Sequence, residues 1–322
     1  MAITTKQIAL LQQELGVKVK ENFSLAPLTW FKIGGNARVY FEAEDNSQIV
    51  HAILTAKMHK VPFFVIAGGA NVLITDNDID KFVIKLNSKD LIVNKNQIIA
   101  DAGVSLAEVV KISIENGLSG LVWASGVPGS IGGAVRGNAG AYGGDMSQIV
   151  SAVEIIRGNR QMVLKKDKID FGYRDSMFKH NSDIILTVSL DLKYGGKKDE
   201  MALESQKIIE ERKAKHPQTP SAGSYFKNIV IDYTNKEIFE KLEIPEKFWG
   251  FGKVAAGWLI DKLDMKGFKV GGAMVSSEHA NIIINTGQAK ASDVLEIASI
   301  IKTRVRDEFG IKLEEEVQYI AG

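Results

Sequence analysis

The chain has 322 residues, of which 45% are hydrophobic and 25% charged, and its 40 Lys plus Arg nearly balance 39 Asp plus Glu. This composition excludes a largely disordered chain and a globally basic nucleic-acid binder, and the length exceeds what one core usually fills, so more than one folded unit is expected. With no cysteine there are no disulfides, thiolate metal sites, iron–sulfur ligands or cysteine nucleophiles, and redox work would need a bound cofactor. The five histidines, His51, His59, His180, His216 and His279, have no metal-ligand spacing, so no metal is assigned.

The N-terminal stretch reads as an amphipathic helix capped by Thr4 or Thr5 and stopped by Gly16. It lacks the apolar core and cleavage site of a signal peptide, and no window of about 18 uncharged apolar residues follows, so a cytoplasmic protein without membrane insertion is expected. Arg38 to Glu42 alternates like a strand, Asp45 or Ser47 caps the helix SQIVHAILTAKMHK, and Pro62 opens the apolar run PFFVIA, which suggests a βαβ unit. That run breaks at Gly68-Gly69-Ala70-Asn71 and resumes as VLI, a sharp turn between two apolar strands. Strands at KFVIKL and QIIADAG and the helix SLAEVVKISIENG, stopped by Gly117, lead into a glycine-rich stretch.

That stretch, Ser125 to Asp145, reads SGVPGSIGGAVRGNAGAYGGD. Nine of the 30 glycines fall between Gly120 and Gly144, and Arg136 is the one charged side chain in that span. Bare backbone amides can form a concave anion site, and glycine lets a phosphate-bearing cofactor approach closely. A run of tight turns under a domain interface is the alternative. Neither the dinucleotide fingerprint G-x-G-x-x-G, nor a P-loop, nor the nucleophile elbow G-x-S-x-G matches here. Two glycine loops, at 68–71 and 125–145, are therefore the candidate phosphate cradles.

Beyond them, Gly158-Asn159 between IVSAVEIIR and QMVLK signals a hairpin, and IILTVSLDLKY reads as a longer strand. From Lys197 the composition shifts to a charged helix, with Pro217 and Pro220 breaking the pattern near a domain boundary. Helices follow around NKEIFEKL, AAGWLIDKL and SDVLEIASIIKTRVRDEFG, with a strand at NIIIN. A last strand in IKLEEEVQYI would put Ile311, Leu313, Val317 and Tyr319 on one face, and Glu316 and Gln318 on the other.

Six blocks in order, TWFKIGGNA, FVIAGGANVLI, GVPGSIGGAVRGNAGAYGGD, FGYRDSMFK, PSAGSYFKN and LEEEVQYI, resemble the UDP-N-acetylenolpyruvoylglucosamine reductase family over about residues 20 to 320. The chain departs from that family's pattern at Ile229, where proline usually follows Asn228, and at Leu313-Glu314-Glu315-Glu316-Val317, where the usual motif is L-E-P-E-V. The resemblance implies an α+β fold: an FAD-binding domain of the vanillyl-alcohol-oxidase (PCMH) type in two subdomains, plus a C-terminal α+β substrate-binding domain. The expected segments are an N-terminal helix at 1–20, FAD-binding subdomains at 21–86 and 87–198, and the C-terminal domain at 199–322.

The activity it implies is FAD-dependent reduction of UDP-N-acetylglucosamine enolpyruvate to UDP-N-acetylmuramate by NADPH, a cytoplasmic step of peptidoglycan precursor synthesis, carried out by a monomer. Catalytic positions carried over are Arg174 to grip the carboxylate and stabilise the enolate, Ser224 as proton donor, and Glu316 at the enolpyruvyl carboxylate, with Glu315 as the alternative register. Gly68, Gly69, Ala70, Asn71, Val127, Pro128, Gly129, Gly132 and Gly133 would line the flavin and its diphosphate. Tyr173, Lys227 and Asn228 would face the substrate, although Lys227 reads equally as a solvated lysine. Without the resemblance, Ser224 is a turn residue after glycine and Arg174 a surface arginine at a strand end. Two rivals are a flavin oxidase of the same cofactor fold acting on a sugar or lactone, and a non-catalytic nucleotide-sugar binder. The first would consume oxygen; the second would not need Arg174, Ser224 and a terminal glutamate together.

Overall fold

The computed structural model describes residues 3–322; Met1 and Ala2, which open the expected segment 1–20, lie outside the described residues. The chain divides into two compact units. Unit 1 holds the chain up to Phe23, Asn36–Gly69 and Asp78–Arg212; unit 2 holds Ser24–Gly35, Ala70–Asn77 and Lys213–Gly322. Among the described residues no helix is long and apolar enough to cross a membrane.

Unit 1 begins with the helix Thr5–Leu15, where Thr4 is the cap and its hydroxyl accepts from the Gln7 amide. A four-stranded sheet runs in the order Lys20–Ser24, Asn36–Ala43, Ile79–Leu86, Phe63–Ile66. Asn36–Ala43 and Phe63–Ile66 both pair in parallel with Ile79–Leu86, and the helix Asn46–Met58 makes the crossover of the expected βαβ unit. Asp45, not Ser47, caps that helix. Its Ile49, Ala52, Ile53 and Ala56 are buried, and burial of each larger aliphatic side chain favours the fold by about 1.5–3 kcal/mol.

The second sheet of unit 1 is antiparallel, in the order Arg160–Lys165, Val150–Arg157, Ile184–Asp191, Gln97–Asp101, Leu91–Asn94. Arg157 pairs with Arg160 across the two-residue turn at Gly158-Asn159, as the hairpin signal predicts. Ser105 caps the helix Leu106–Glu115.

The glycine-rich stretch is not all loop. Ile131–Gly137 forms a short helix with Ser130 as its cap, the Ser130 hydroxyl accepting from Gly133 N–H. Glycines disfavour a helix by roughly 1 kcal/mol each, but buried Ile131, Ala134 and Val135 anchor it, so tertiary packing overrides propensity.

In unit 2 an antiparallel sheet runs in the order Ser221–Ser224, Ile282–Asn285, Ala273–Val275, Lys269–Val270. The helix Ala291–Phe309 packs against its last two strands and buries Val294, Ile297, Ile301 and Val305. VLI forms the strand Val72–Ile74, but its partner is the terminal strand Gln318–Ile320, in parallel. The expected long last strand is corrected here: only Gln318–Ile320 is strand, and Tyr319 is 44% exposed while Ile311, Leu313 and Val317 are buried. The acidic run Glu314–Glu316 interrupts the alternation because its backbone bonds elsewhere. The segment between Tyr233 and Phe251 contains the helices Lys236–Lys241 and Glu246–Phe251, whose Phe239 and Phe248 enter the core.

Asp76 fixes the start of the long helix, its two carboxylate oxygens accepting from Ala291 N–H at 2.6 Å and Ser292 N–H at 3.0 Å. A carboxylate there satisfies otherwise unpaired amides and meets the positive end of the helix dipole. Asp76→Ala is expected to lower unfolding stability by about 1–2 kcal/mol, and Asp76→Asn by less, in urea titrations.

Candidate active site

In unit 1 the two glycine loops lie backbone to backbone. A Cβ on Gly68 would sit 2.5 Å from Ser130 N and 2.6 Å from Gly129 Cα, so only glycine fits. Gly69 and Gly129 adopt φ of 61° and 113°, conformations glycine supplies without strain. Among the described residues, the amides of Gly68, Gly69, Gly129 and Ser130 donate to no protein acceptor. Four bare donors on two touching loops are the kind of backbone groups a diphosphate can use. A flavin dinucleotide therefore fits this cradle on two observations: the forbidden Cβ and the unused amides.

Other residues expected at the cofactor have different surroundings. Gly132 donates to Ala102 O at 3.0 Å, and a Cβ there would lie 2.6 Å from the Ala102 side chain, so this glycine lets the short helix pack closely. The Gly133 amide is taken by the Ser130 hydroxyl. Val127 N–H donates to Ala124 O and Val127 packs on the core, with Pro128 between it and Gly129. Ala70 and Asn71 belong to unit 2, where the Asn71 side chain donates to Glu316 O at 3.1 Å.

Arg174 is in unit 1, at the tip of a hairpin. Gly172 pairs with Asp175, leaving Tyr173 and Arg174 as a two-residue turn. Arg174 has φ 54°, at the second turn position, where glycine or asparagine is the ordinary choice. The hairpin is tied to the glycine-rich stretch: Asn138 Nδ2 donates to Gly172 O at 2.8 Å, Ser176 Oγ donates to Arg136 O at 2.7 Å, and Arg174 Nη2 donates to Gly140 O. Lys179 Nζ donates to Arg174 O, and the Arg174 guanidinium stands 5.3 Å from the Tyr173 ring centroid. Arg136 lies behind this turn; burial lowers its guanidinium below the ordinary arginine value, opposed by nearby Asp175.

In unit 2, Ser224 ends the strand Ser221–Ser224. The register against Ile282–Asn285 slips between Ser221 and Ser224, and Gly223 takes φ 75° there. Such an irregularity re-aims a side chain away from the ladder. The next residues are clamped by Asn281: its side chain accepts from Phe226 N–H at 3.0 Å and donates to Phe226 O at 2.8 Å, and its backbone oxygen accepts from Tyr225 N–H. Tyr225 O in turn accepts from Glu316 N–H at 2.8 Å. Ser224 and Glu316 are thus brought onto adjoining backbones, one residue from a shared hydrogen bond.

Glu315 forms an ion pair with Lys302 at 2.7 Å, and Lys227 pairs with Glu314 at 3.1 Å. The Asn228 side chain accepts from Ala256 N–H, the first residue of the helix Ala256–Lys262. Burial, with Glu315 nearby, pushes the Tyr225 phenol well above its ordinary value, so it stays neutral.

The sequence reading missed Asn281 and His279. Both stand in HAN, the short polar break before the buried strand Ile282–Asn285, and a buried asparagine there is a signal for a backbone clamp. His279 Nδ1 accepts from Asn281 N–H at 3.2 Å, and its ring stacks on His216 at 5.6 Å. Burial lowers its pKa below the ordinary histidine value, with Lys266 pushing the same way, against a backbone hydrogen bond and Asp261. A depressed folded pKa contributes stability fully above the ordinary value of about 6.5, and that stability is lost as pH falls through the folded pKa. His279→Gln should flatten that acid limb of the stability curve; a limb of unchanged slope would remove His279 from it.

Residues 37–163 match the model of an FAD binding domain, and residues 215–320 match that of the UDP-N-acetylenolpyruvoylglucosamine reductase C-terminal domain. The UDP-N-acetylenolpyruvoylglucosamine reductase of Anoxybacillus flavithermus is 34% identical over 97% of this chain and 97% of its own. That of Caldanaerobacter subterraneus is 34% identical over 91% of this chain and 90% of its own. The crystal structure of UDP-N-acetylenolpyruvylglucosamine reductase (MurB) from Thermus caldophilus superposes with a TM-score of 0.73 at 31% identity, covering 94% of this chain and 98% of that one.

The fold and the matched families define an FAD-dependent oxidoreductase, α+β throughout, with an FAD-binding domain and a C-terminal α+β domain. The chain belongs to the UDP-N-acetylenolpyruvoylglucosamine reductase family.

Proposed function

We propose that this protein reduces UDP-N-acetylglucosamine enolpyruvate to UDP-N-acetylmuramate at the expense of NADPH, as a cytoplasmic monomer in peptidoglycan precursor synthesis. The observation that carries the reading is the joining of Ser224 and Glu316 through Tyr225 in a chain of this family. Bound FAD supplies the hydride relay from NADPH to the methylene carbon of the enolpyruvyl ether.

The residues of this chain answer the two demands that relay creates. Negative charge develops on the carbon next to the substrate carboxylate and spreads onto its oxygens. The Arg174 fork grips those oxygens bidentately, and Glu316, sharing a proton with the carboxylate, offsets the remaining charge. The Ser224 hydroxyl then delivers a proton to the carbon beside the carboxylate. A hydride on one carbon and a proton on its neighbour saturate the double bond. The ion pair of Glu315 with Lys302 supports Glu316 as the acidic participant.

Gly68, Gly69, Gly129 and Ser130 would hold the diphosphate, with Ala70, Asn71, Val127 and Pro128 near the flavin. Gly132 and Gly133 shape the helix behind it. Tyr173, Lys227 and Asn228 would face the substrate; the pairing of Lys227 with Glu314 supports a phosphate role only if the substrate displaces that glutamate. The division 1–20, 21–86, 87–198 and 199–322 remains our proposed functional partition.

An anaerobic stopped-flow experiment tests the reading. NADPH should bleach the bound flavin, and UDP-N-acetylglucosamine enolpyruvate should restore its absorbance within a turnover. Bleaching with no return on adding this substrate would overturn the assignment.

A further inference from the structure

Lys85 lies in the strand Ile79–Leu86, in register with Glu42 on one neighbouring strand and Ile66 on the other. Its ammonium donates to the carbonyl of Ala67, the residue before the first cradle glycine. Glu42 also accepts from the Tyr40 hydroxyl at 3.3 Å, and Phe23 stacks on the Tyr40 ring at 3.9 Å. Burial holds the Lys85 ammonium below its ordinary pKa, and Glu42 acts against that shift. Taking an ammonium out of water is costly, and one hydrogen bond to a neutral carbonyl only partly offsets it.

The placement of that bond gives the charge a use. Ala67 C=O and Gly68 N–H belong to one planar peptide, whose electrons are delocalised across both ends. Donation to the oxygen draws density from the nitrogen and makes the N–H a stronger donor, as in any polarised chain of hydrogen bonds. Gly68 N–H is one of the four amides with no protein acceptor among the described residues. An anion at the cradle would meet it directly.

We propose that Lys85 is a positioning residue for the flavin dinucleotide, a cation held behind the cradle that strengthens its grip on the diphosphate through the Ala67–Gly68 peptide. This rests on the reading that the glycine cradle holds the diphosphate. Glu42 is the counterweight: its charge opposes that of Lys85, so the two residues should act on flavin retention in opposite senses. A pair that merely braces the sheet would act in the same sense.

The test is the rate of FAD release from full-length holoenzyme diluted into flavin-free buffer, followed by the rise of free-flavin fluorescence. Lys85→Met, close in length and uncharged, should release FAD about tenfold faster than the wild type. Glu42→Gln should release it no faster than the wild type. Acceleration in both variants, or a Lys85→Met rate within about twofold of wild type, overturns the proposal. A Gly68→Ala chain that retains FAD as the wild type does would instead overturn the cradle reading itself, and the proposal with it, so the two failures are separable.

Discussion

Ser224→Ala is expected to leave reduction of the bound flavin by NADPH at the wild-type rate while slowing flavin reoxidation by the enolpyruvyl substrate about 10²–10⁴-fold. The split follows from where the hydroxyl acts. Hydride transfer from NADPH needs no proton at the substrate carbon, whereas the second half-reaction ends with one. A serine is a weak acid, so the step depends on its position, and the structure supplies a reason for that position. The register slip between Ser221 and Ser224 and the left-handed Gly223 turn the end of the strand, and the Asn281 clamp fixes Phe226 two residues later. Removing one oxygen should change unfolding stability by no more than about 0.5 kcal/mol. Equal losses in both half-reactions would remove Ser224 from proton delivery.

Arg174 should show the second large effect, and with an unusual stability pattern. Arg174→Ala and Arg174→Gly are both expected to reduce turnover by about 10²–10³-fold, the usual loss when one donor to a developing oxyanion is removed. Arg174→Lys should recover part of that rate and no more, because a lysine lacks the planar fork. Yet the glycine variant should be more stable than the alanine variant by about 1 kcal/mol, since the φ of 54° suits glycine and strains any residue with a Cβ. A non-glycine residue held at a glycine position stores local backbone strain. Full activity in the lysine variant would set Arg174 outside the mechanism.

Much of unit 1 could be read from pattern alone. The parallel unit built on Asn36–Ala43, Asn46–Met58 and Phe63–Ile66 follows from alternation, a cap and an apolar run, and the Gly158-Asn159 hairpin follows from turn chemistry. These are local signals. The two glycine loops were legible as backbone-dominated turns, but their contact through Gly68 and Gly129 was not, because nothing local links residues so distant in the chain. The helix at Ile131–Gly137 was hidden for a different reason: its stability comes from burial of Ile131 and Val135, not from its glycines. Alternation suggested a strand through Ile311 to Tyr319, whereas the backbone there bonds to Tyr225 and Lys227. Asn281 and Lys85 left no strong mark, since a clamp and a half-buried ammonium depend on neighbours that only folding supplies.

The pairing of Val72–Ile74 with Gln318–Ile320 also constrains how the chain is made. The Asn71 side chain and the Glu316 carbonyl it meets are 245 residues apart, and the strand Gln318–Ile320 is made long after its partner Val72–Ile74. Loop closure over such a distance is slow and cannot start before Gln318–Ile320 has been made. Until then the early segments Ser24–Gly35 and Ala70–Asn77 wait without their partners, with Phe31 and Leu73 of the finished core still exposed. The protein depends for that interval on whatever shields nascent apolar surface, and the arrival of Gln318–Ile320, not the emergence of unit 1, sets the moment at which unit 2 can close.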